Sequence, residues 1–239
     1  MTVGDNRIVV AIDGPSGAGK STVARAVAER LGYLYVDSGA MYRAVGLAAL
    51  ERGLDPHDAA GVAACARPLE ISLEKAAAGA PEAGARVRVD GRDVTEAIRQ
   101  PRVAQAASVV ATIPAVRELL VAQQQHIGAG GGIVMEGRDI GSVVFPRAEL
   151  KVFVTASVEE RARRRYAQQR EQGIESSLER TRQEVVERDQ RDATRQVSPL
   201  VQAADAVYLE STAMTTEEVV DVIVRLAEKK VGEPKSRRV

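Results

Sequence analysis

The stretch Gly14-Pro15-Ser16-Gly17-Ala18-Gly19-Lys20-Ser21 constrains this chain more than any other feature. It fits G-x-x-x-x-G-K-[ST], a phosphate-binding loop, and that motif carries weight only between a strand and a helix. Both flanks are present. Ile8-Val9-Val10-Ala11-Ile12 is a short β-branched apolar run that predicts a buried strand. Thr22 to Leu31 places apolar residues at Val23, Val27 and Leu31, a helical period, and Gly32 follows as a stop. Glycines allow the backbone to turn tightly and bring its N–H groups close to an anion. The helix start adds its positive dipole end. In this pattern Gly14 to Thr22 form the nucleotide site, Lys20 reaches the β- and γ-phosphates, and Ser21 is the Mg²⁺ ligand.

Lys+Arg and Asp+Glu are both 33, so the net charge is zero. That balance argues against a general nucleic-acid binder, and aromatics at 3% leave few stacking platforms for single strands. Cys65 is the sole cysteine, which excludes an internal disulfide and fits a reducing, cytoplasmic setting. His57 and His126 sit in no motif, so Cys65 reads as a small core residue. No signal peptide is read at the N-terminus, and no apolar run approaches a membrane span.

Strands predicted at 8–12, 33–36, 133–135, 150–154 and 206–209 alternate with helices, which implies an α/β fold with a five-stranded parallel sheet. Residues 67–100 break the pattern. Leu69 to Leu73 and Val87 to Val89 alternate apolar with polar, and Asp90-Gly91 signals a hairpin, so a small antiparallel insertion is expected here. The Ala/Gly/Pro-rich stretch 76–85 reads as a mobile loop. Residues 101–128 read as helical with an interruption at Pro114, and 216–228 as a terminal helix. The last residues, 230–239, read as a disordered polar tail.

Ligands of an open parallel sheet sit at the C-terminal strand ends. Asp37-Ser38 with Tyr42-Arg43 falls there after the second strand, and Glu136-Gly137-Arg138-Asp139 after the third. Asp37 or Ser38 also suits a helix N-cap. The basic helix 158–170 reads as a solvated stripe or as a lid whose Arg161, Arg164 and Arg165 close over phosphates. The run Arg188 to Arg195 reads as a solvated face or as a second cluster directed over the sheet.

Four segments together resemble the bacterial cytidylate kinases, a branch of the nucleoside monophosphate kinases. They are Ile12 to Thr22, Asp37 to Arg43, Glu136 to Pro146 and Arg188 to Leu200, in the expected order over nearly the whole length. The resemblance implies transfer of the γ-phosphoryl of Mg-ATP to CMP or dCMP by a monomer with no nucleic-acid or membrane partner. It implies a core of residues 1–37, 101–157 and 192–229, a monophosphate-binding domain at 38–100, and a lid at 158–191. It further implies that Arg43, Arg138 and Arg195 hold the acceptor phosphate, with Ser38 and Tyr42 beside them. Arg188 and Asp192 would contact the sugar, and Ser108, Arg117 and Asp139 would read cytosine. Lys20, Arg138, Arg188 and Arg195 would act on the reacting phosphates. Another small P-loop kinase, acting on UMP, AMP or shikimate, and a nucleotide-binding switch are the competing readings. No N-K-x-D guanine-reading motif is present for the latter.

Overall fold

The computed structural model describes residues 7–74, 86–171, 173–195 and 197–232. In chain order these form β1 (Val9–Asp13), α1 (Lys20–Leu31), β2 (Leu34–Asp37), α2 (Ser38–Glu51), α3 (Ala59–Ala66), β3 (Ile71–Glu74), β4 (Arg86–Val89) and β5 (Arg92–Asp93). A short 3-10 turn (Ala97–Arg99) leads to α4 (Pro101–Val110), α5 (Pro114–Gly128) and β6 (Ile133–Gly137). A π-helical turn (Ile140–Val144) leads to β7 (Leu150–Thr155), α6 (Val158–Glu171), α7 (Leu178–Thr194), β8 (Val207–Glu210) and α8 (Thr216–Gly232). The five-stranded parallel sheet has the order β2-β6-β1-β7-β8, and β3-β4-β5 form a separate antiparallel sheet.

By contact the chain divides into two compact units, Met1–Leu34 with Gly130–Val239, and Tyr35–Ala129. In the first, β1 lies between β6 and β7, and its five residues are all buried. A strand covered on both faces needs an unbroken apolar run, which Val9 to Ile12 supply. Register sets Asp13 opposite Gly137 on one side and Phe153 on the other, so the segments after β1 and β6 leave the sheet together. Helix α1 ends where Gly32 takes a left-handed φ of 68° and its N–H reaches the carbonyls of Ala28 and Glu29. Helix α8 packs on α1 through a buried stripe of Val219, Val220, Ile223, Val224 and Ala227.

The second unit has its own core. Met41, Val45 and Leu47 of α2, Val62 and Cys65 of α3, Val87 and Val89 of β4, and Val103, Val116 and Leu120 of α4 and α5 are all buried in it. Cys65 is free and buried, as its role of small core residue requires. The Asp90-Gly91 turn closes β4 on β5 with both residues at positive φ, 50° and 77°, the geometry of a type I′ hairpin.

Two boundaries differ from the sequence reading. Helices α4 and α5, assigned there to the core, group with residues 35–100 because α4 packs along α2. Helix α8 runs through Gly232, so residues 230–232 are helical and do not belong to the tail. The tail beyond 232 and the stretch 76–85 lie outside the described residues. Among the described residues no single helix is long and apolar enough to cross a membrane.

Candidate functional site

The loop between β1 and α1 is shaped by what surrounds it. Gly14 has φ 148°, and a Cβ there would stand 1.9 Å from the Val154 carbonyl oxygen on β7. Only glycine lets β1 turn off the sheet so close to its neighbour. Gly19, at φ 83°, is the N-cap of α1 and provides no side-chain cap, and the first turn holds no acidic residue. The uncapped N–H groups and the dipole end are thus left for an anion.

Lys20 is the first residue of α1 and is buried to 5% exposure. Its Nζ donates to the Pro15 carbonyl at 2.7 Å. Burial depresses its pKa from 10.5 to about 7, the Arg138 and Arg188 charges push the same way, and Glu136 and Asp13 oppose them. Ser21 and Thr22 follow on the exposed face of the first turn.

Asp13, which the sequence reading passed over, closes the base of this cluster. Its carboxylate accepts the Ile140 N–H at 2.8 Å and the Gly141 N–H at 2.7 Å, and so ties the end of β1 to the π-helical turn. Burial lifts its pKa from 3.8 to about 6 against those two bonds, and Asp139 adds to the lift. The one sequence signal for it was a carboxylate inside an otherwise apolar strand.

The π-helical turn follows Arg138 and Asp139. Arg138 Nε donates to Asp192 Oδ2 at 2.7 Å, and its Nη1 reaches the Gly137 carbonyl at 3.3 Å. Asp192 is buried, which would raise its pKa, but the charges of Arg138, Arg188 and Arg195 hold it below the usual carboxylate range. Arg195 caps the end of α7, donates from Nε to the Ser198 carbonyl, and lies 3.7 Å from the Asp139 carboxylate. Within the first unit, then, the structure brings together Lys20, Arg138, Asp139, Asp192 and Arg195, with Arg188 close enough to act on both Lys20 and Asp192.

Ser38, Tyr42, Arg43, Ser108 and Arg117 belong to the second unit. Asp37 is the N-cap of α2, accepting the Ala40 N–H at 3.0 Å. It also pairs with Arg43 Nη2 at 2.7 Å, and this charge overcomes burial to hold its pKa low. The capping and arginine-holding roles of this segment therefore coexist. Ser38 is buried at the helix start. The buried Arg117 guanidinium stacks 5.6 Å from the centre of the Tyr42 ring and reaches the Ala111 carbonyl at 3.3 Å. Ser108, on α4, is half-buried.

Arg161 and Arg164, two of the expected lid arginines, reach the backbone of the glycine loop. Arg161 is 5% exposed, and it donates from Nε to the Ala156 carbonyl at 2.9 Å and from Nη1 to the Ser16 carbonyl at 3.0 Å. Nη1 also pairs with Asp189 Oδ2 on α7 at 2.6 Å. Arg164 bonds the Ser211 carbonyl at 2.8 Å and Glu160 at 3.0 Å, and approaches the Ala18 carbonyl at 3.4 Å. The first turn of α6 is thus fastened to the glycine loop. A basic stripe in sequence does not distinguish a solvent-facing guanidinium from one drawn inward by backbone carbonyls. Arg165, also on α6, has a buried Nε that meets no partner among the described residues.

Among the described residues no group of three or more acidic, histidine or cysteine side chains could hold a metal ion. The residue type available beside Lys20 is the exposed Ser21 hydroxyl, which suits a Mg²⁺ that arrives with a nucleotide's phosphates.

Comparison with known proteins bears on this site. The family model described as cytidylate kinase matches residues 10–229. A cytidylate kinase of Limosilactobacillus reuteri is 51% identical over 221 residues, 92% of this chain and 95% of that one. One of Symbiobacterium thermophilum is 47% identical over 94% of this chain and 98% of its own length. An uncharacterized protein from Eubacterium ventriosum superposes with a TM-score of 0.51 at 12% identity, over 93% of this chain and 99% of that one, a likeness of fold alone. A match that runs from β1 into α8 takes in the glycine loop, the Arg138-Asp139 turn and the Arg188 to Arg195 segment, and with it the chain belongs to the cytidylate kinase family.

Proposed function

We propose that this protein transfers the γ-phosphoryl group of Mg-ATP to CMP or dCMP, giving ADP and CDP or dCDP. The observation that carries the reading is geometric: the glycine loop leaves the first-turn N–H groups of α1 uncapped beside buried Lys20, and Arg138 and Arg195 gather with Asp192 and Asp139 at the same sheet ends. Cations gathered at strand ends repel one another until a polyanion arrives, so the site is complementary to phosphate groups.

The donor's phosphates lie against the N–H groups of the Gly14 to Gly19 loop and the start of α1, with Lys20 leaving the Pro15 carbonyl to reach them. Ser21 would be the residue to hold a Mg²⁺ that arrives with the nucleotide, and the ion would supply charge neutralisation. Arg43, Arg138 and Arg195 hold the acceptor's phosphate, with Ser38 and Tyr42 beside them. Arg188 and Asp192 contact its sugar. An acceptor phosphate oxygen forms the new bond to the γ-phosphorus as the bond to the ADP oxygen breaks. The acceptor is already an anion, so no general base is required. Positioning and charge neutralisation supply most of the rate.

Cytosine selection falls to Ser108, Arg117 and Asp139. The exocyclic amine of cytosine donates, and a carboxylate only accepts. Uracil would set a carbonyl oxygen against Asp139 and leave acceptors facing each other. The second unit, residues 35–129, forms the acceptor domain, and 158–191 close over the reacting groups. The same reading places the protein in the cytoplasm as a monomer without nucleic-acid or membrane partners, in keeping with its balanced charge and single cysteine.

An acceptor panel tests the proposal. With Mg-ATP and CMP, dCMP, UMP, AMP or shikimate, ADP formation should favour CMP and dCMP by about 100-fold or more over the rest. Turnover led by UMP, AMP or shikimate would overturn it. Asp139→Ala should erode the CMP-over-UMP preference by at least about tenfold while ATP affinity holds. An equal loss toward both acceptors removes Asp139 as the reader.

A further inference from the structure

A glycine loop has a mechanical problem. Gly17 is at φ 78°, and a glycine peptide can turn over with little steric resistance. If the Ser16–Gly17 peptide turned over, its carbonyl would replace its N–H at the anion, and a hydrogen-bond donor would become a repelling dipole. Some group must hold that peptide plane in one orientation.

We propose that Arg161 is the positioning residue that sets this plane, acting on the donor's phosphates through the loop and not by touching them. Its Nη1 takes the Ser16 carbonyl at 3.0 Å. The described residues contain no cis peptide bond, and in a trans peptide the C=O and the following N–H point in opposite directions. Fixing the Ser16 oxygen on buried Arg161 therefore turns the Gly17 N–H away from it. Gly17 itself is only half-buried, so the loop is open to a ligand at this residue.

The guanidinium is fixed in turn. Nε is held by the Ala156 carbonyl at 2.9 Å, just past the end of β7, and Nη1 by Asp189 at 2.6 Å. The backbone fits as closely as the side chain, since a Cβ at Gly17 would stand 2.8 Å from the Arg161 carbonyl oxygen. An alanine could not occupy position 17 without moving α6. Three fixed contacts satisfy a planar fork, and a lysine cannot reproduce them. Asp189 adjoins Arg188, so α7 carries both the anchor for the loop's strut and a proposed sugar contact.

The inference rests on the reading that this loop binds the donor's phosphates, and its test separates the two. Binding of ATP, ADP and inorganic tripolyphosphate is measured by calorimetry on the wild type and on Arg161→Lys, with the Gly17 amide followed by NMR. Arg161→Lys should weaken all three ligands about tenfold, a lost charge-assisted hydrogen bond. Its kcat at saturating ATP and its KM for CMP should stay within about twofold, the pattern of a binding loss shared equally by ground and transition states. The shift of the Gly17 amide on tripolyphosphate addition should shrink. Asp189→Asn, which keeps the guanidinium but loosens it, should move affinity the same way by about threefold.

A fall in kcat with ATP affinity retained would show a guanidinium that contacts the transferring group, and would overturn the proposal. So would equal weakening toward ATP and CMP with a lowered Tm, the mark of a merely structural residue. Unchanged affinity in Arg161→Lys overturns it alone. A wild type that binds neither ATP nor tripolyphosphate overturns the donor-site reading and the proposal with it.

Discussion

The cations of the glycine loop and those proposed for the acceptor are held in different ways. Lys20 donates its hydrogen bond to a backbone carbonyl, that of Pro15, with the Glu136 and Asp13 charges acting on it as well. Arg138, Arg195 and Arg43 each face a carboxylate, those of Asp192, Asp139 and Asp37. A carbonyl is a dipole, and a polyanion displaces it easily. A carboxylate is a full charge, and an incoming phosphate must share the guanidinium with it or replace it. The fold therefore penalises the charge on Lys20 and gives the Arg138 guanidinium a buried carboxylate to pair with. The same positive sign has opposite consequences for stability in the two places.

The widest separation should come from removing each cation in turn. Lys20→Met should lower kcat/KM on the order of 10³-fold, as expected when a cation on the transferring phosphates is lost. Its Tm should rise by about 2–6 °C near pH 6, where Lys20 is charged and its burial is unfavourable. Steady-state kinetics and calorimetry check both halves. A lower Tm would mean that burial of the ammonium is not a burden.

Arg138→Met should lower kcat/KM for CMP by about 100-fold with ATP affinity within about threefold. Unlike the lysine variant it should destabilise, by about 1–3 kcal/mol, because Asp192 keeps its burial and loses its partner. Urea unfolding gives the figure. Equal stability changes in the two variants would erase the contrast between carbonyl-held and carboxylate-held cations.

The smallest effect is on pH. With a folded pKa of about 7 against 10.5, Lys20 is mostly neutral in the free protein at pH 8.5. A bound polyphosphate favours the ammonium, so ATP binding should take up as much as about one proton there, and affinity should fall as pH rises above 7. The free protein should gain stability from this group over the same interval, since the unfolded chain keeps the proton that the folded one has released. Calorimetry in buffers of different ionisation enthalpy detects the uptake. Its absence at pH 8.5 would show that Lys20 is charged in the free protein and not desolvated.

Much of this was legible in the chain because its signals are local. The apolar run of β1, the Asp90-Gly91 turn, Pro114 at the start of α5, and Gly32 after α1 each act within a few residues. Extending α8 to Gly232 shows where that stops. A polar composition at 229–232 resembles a tail, yet the helix continues through it behind the apolar stripe of 219–227. Asp13 was passed over, and the hold of Arg161 on the glycine loop was not foreseen, for a related reason. Their partners are 127 and 145 residues away, in the Ile140 amide and the Ser16 carbonyl, and backbone groups carry no sequence signature.

By itself, then, the sequence settled the kinds of group available: glycines that can turn, a lysine after them, arginines in two dense runs, and strands that alternate with helices as a parallel sheet requires. Tertiary structure alone decided which of those charges face carbonyls and which face carboxylates. It also decided that a basic helix fastens the phosphate loop through Arg161. Those assignments depend on where β1, β6 and β7 end relative to one another, and that is fixed by sheet register and helix packing across more than a hundred residues of chain.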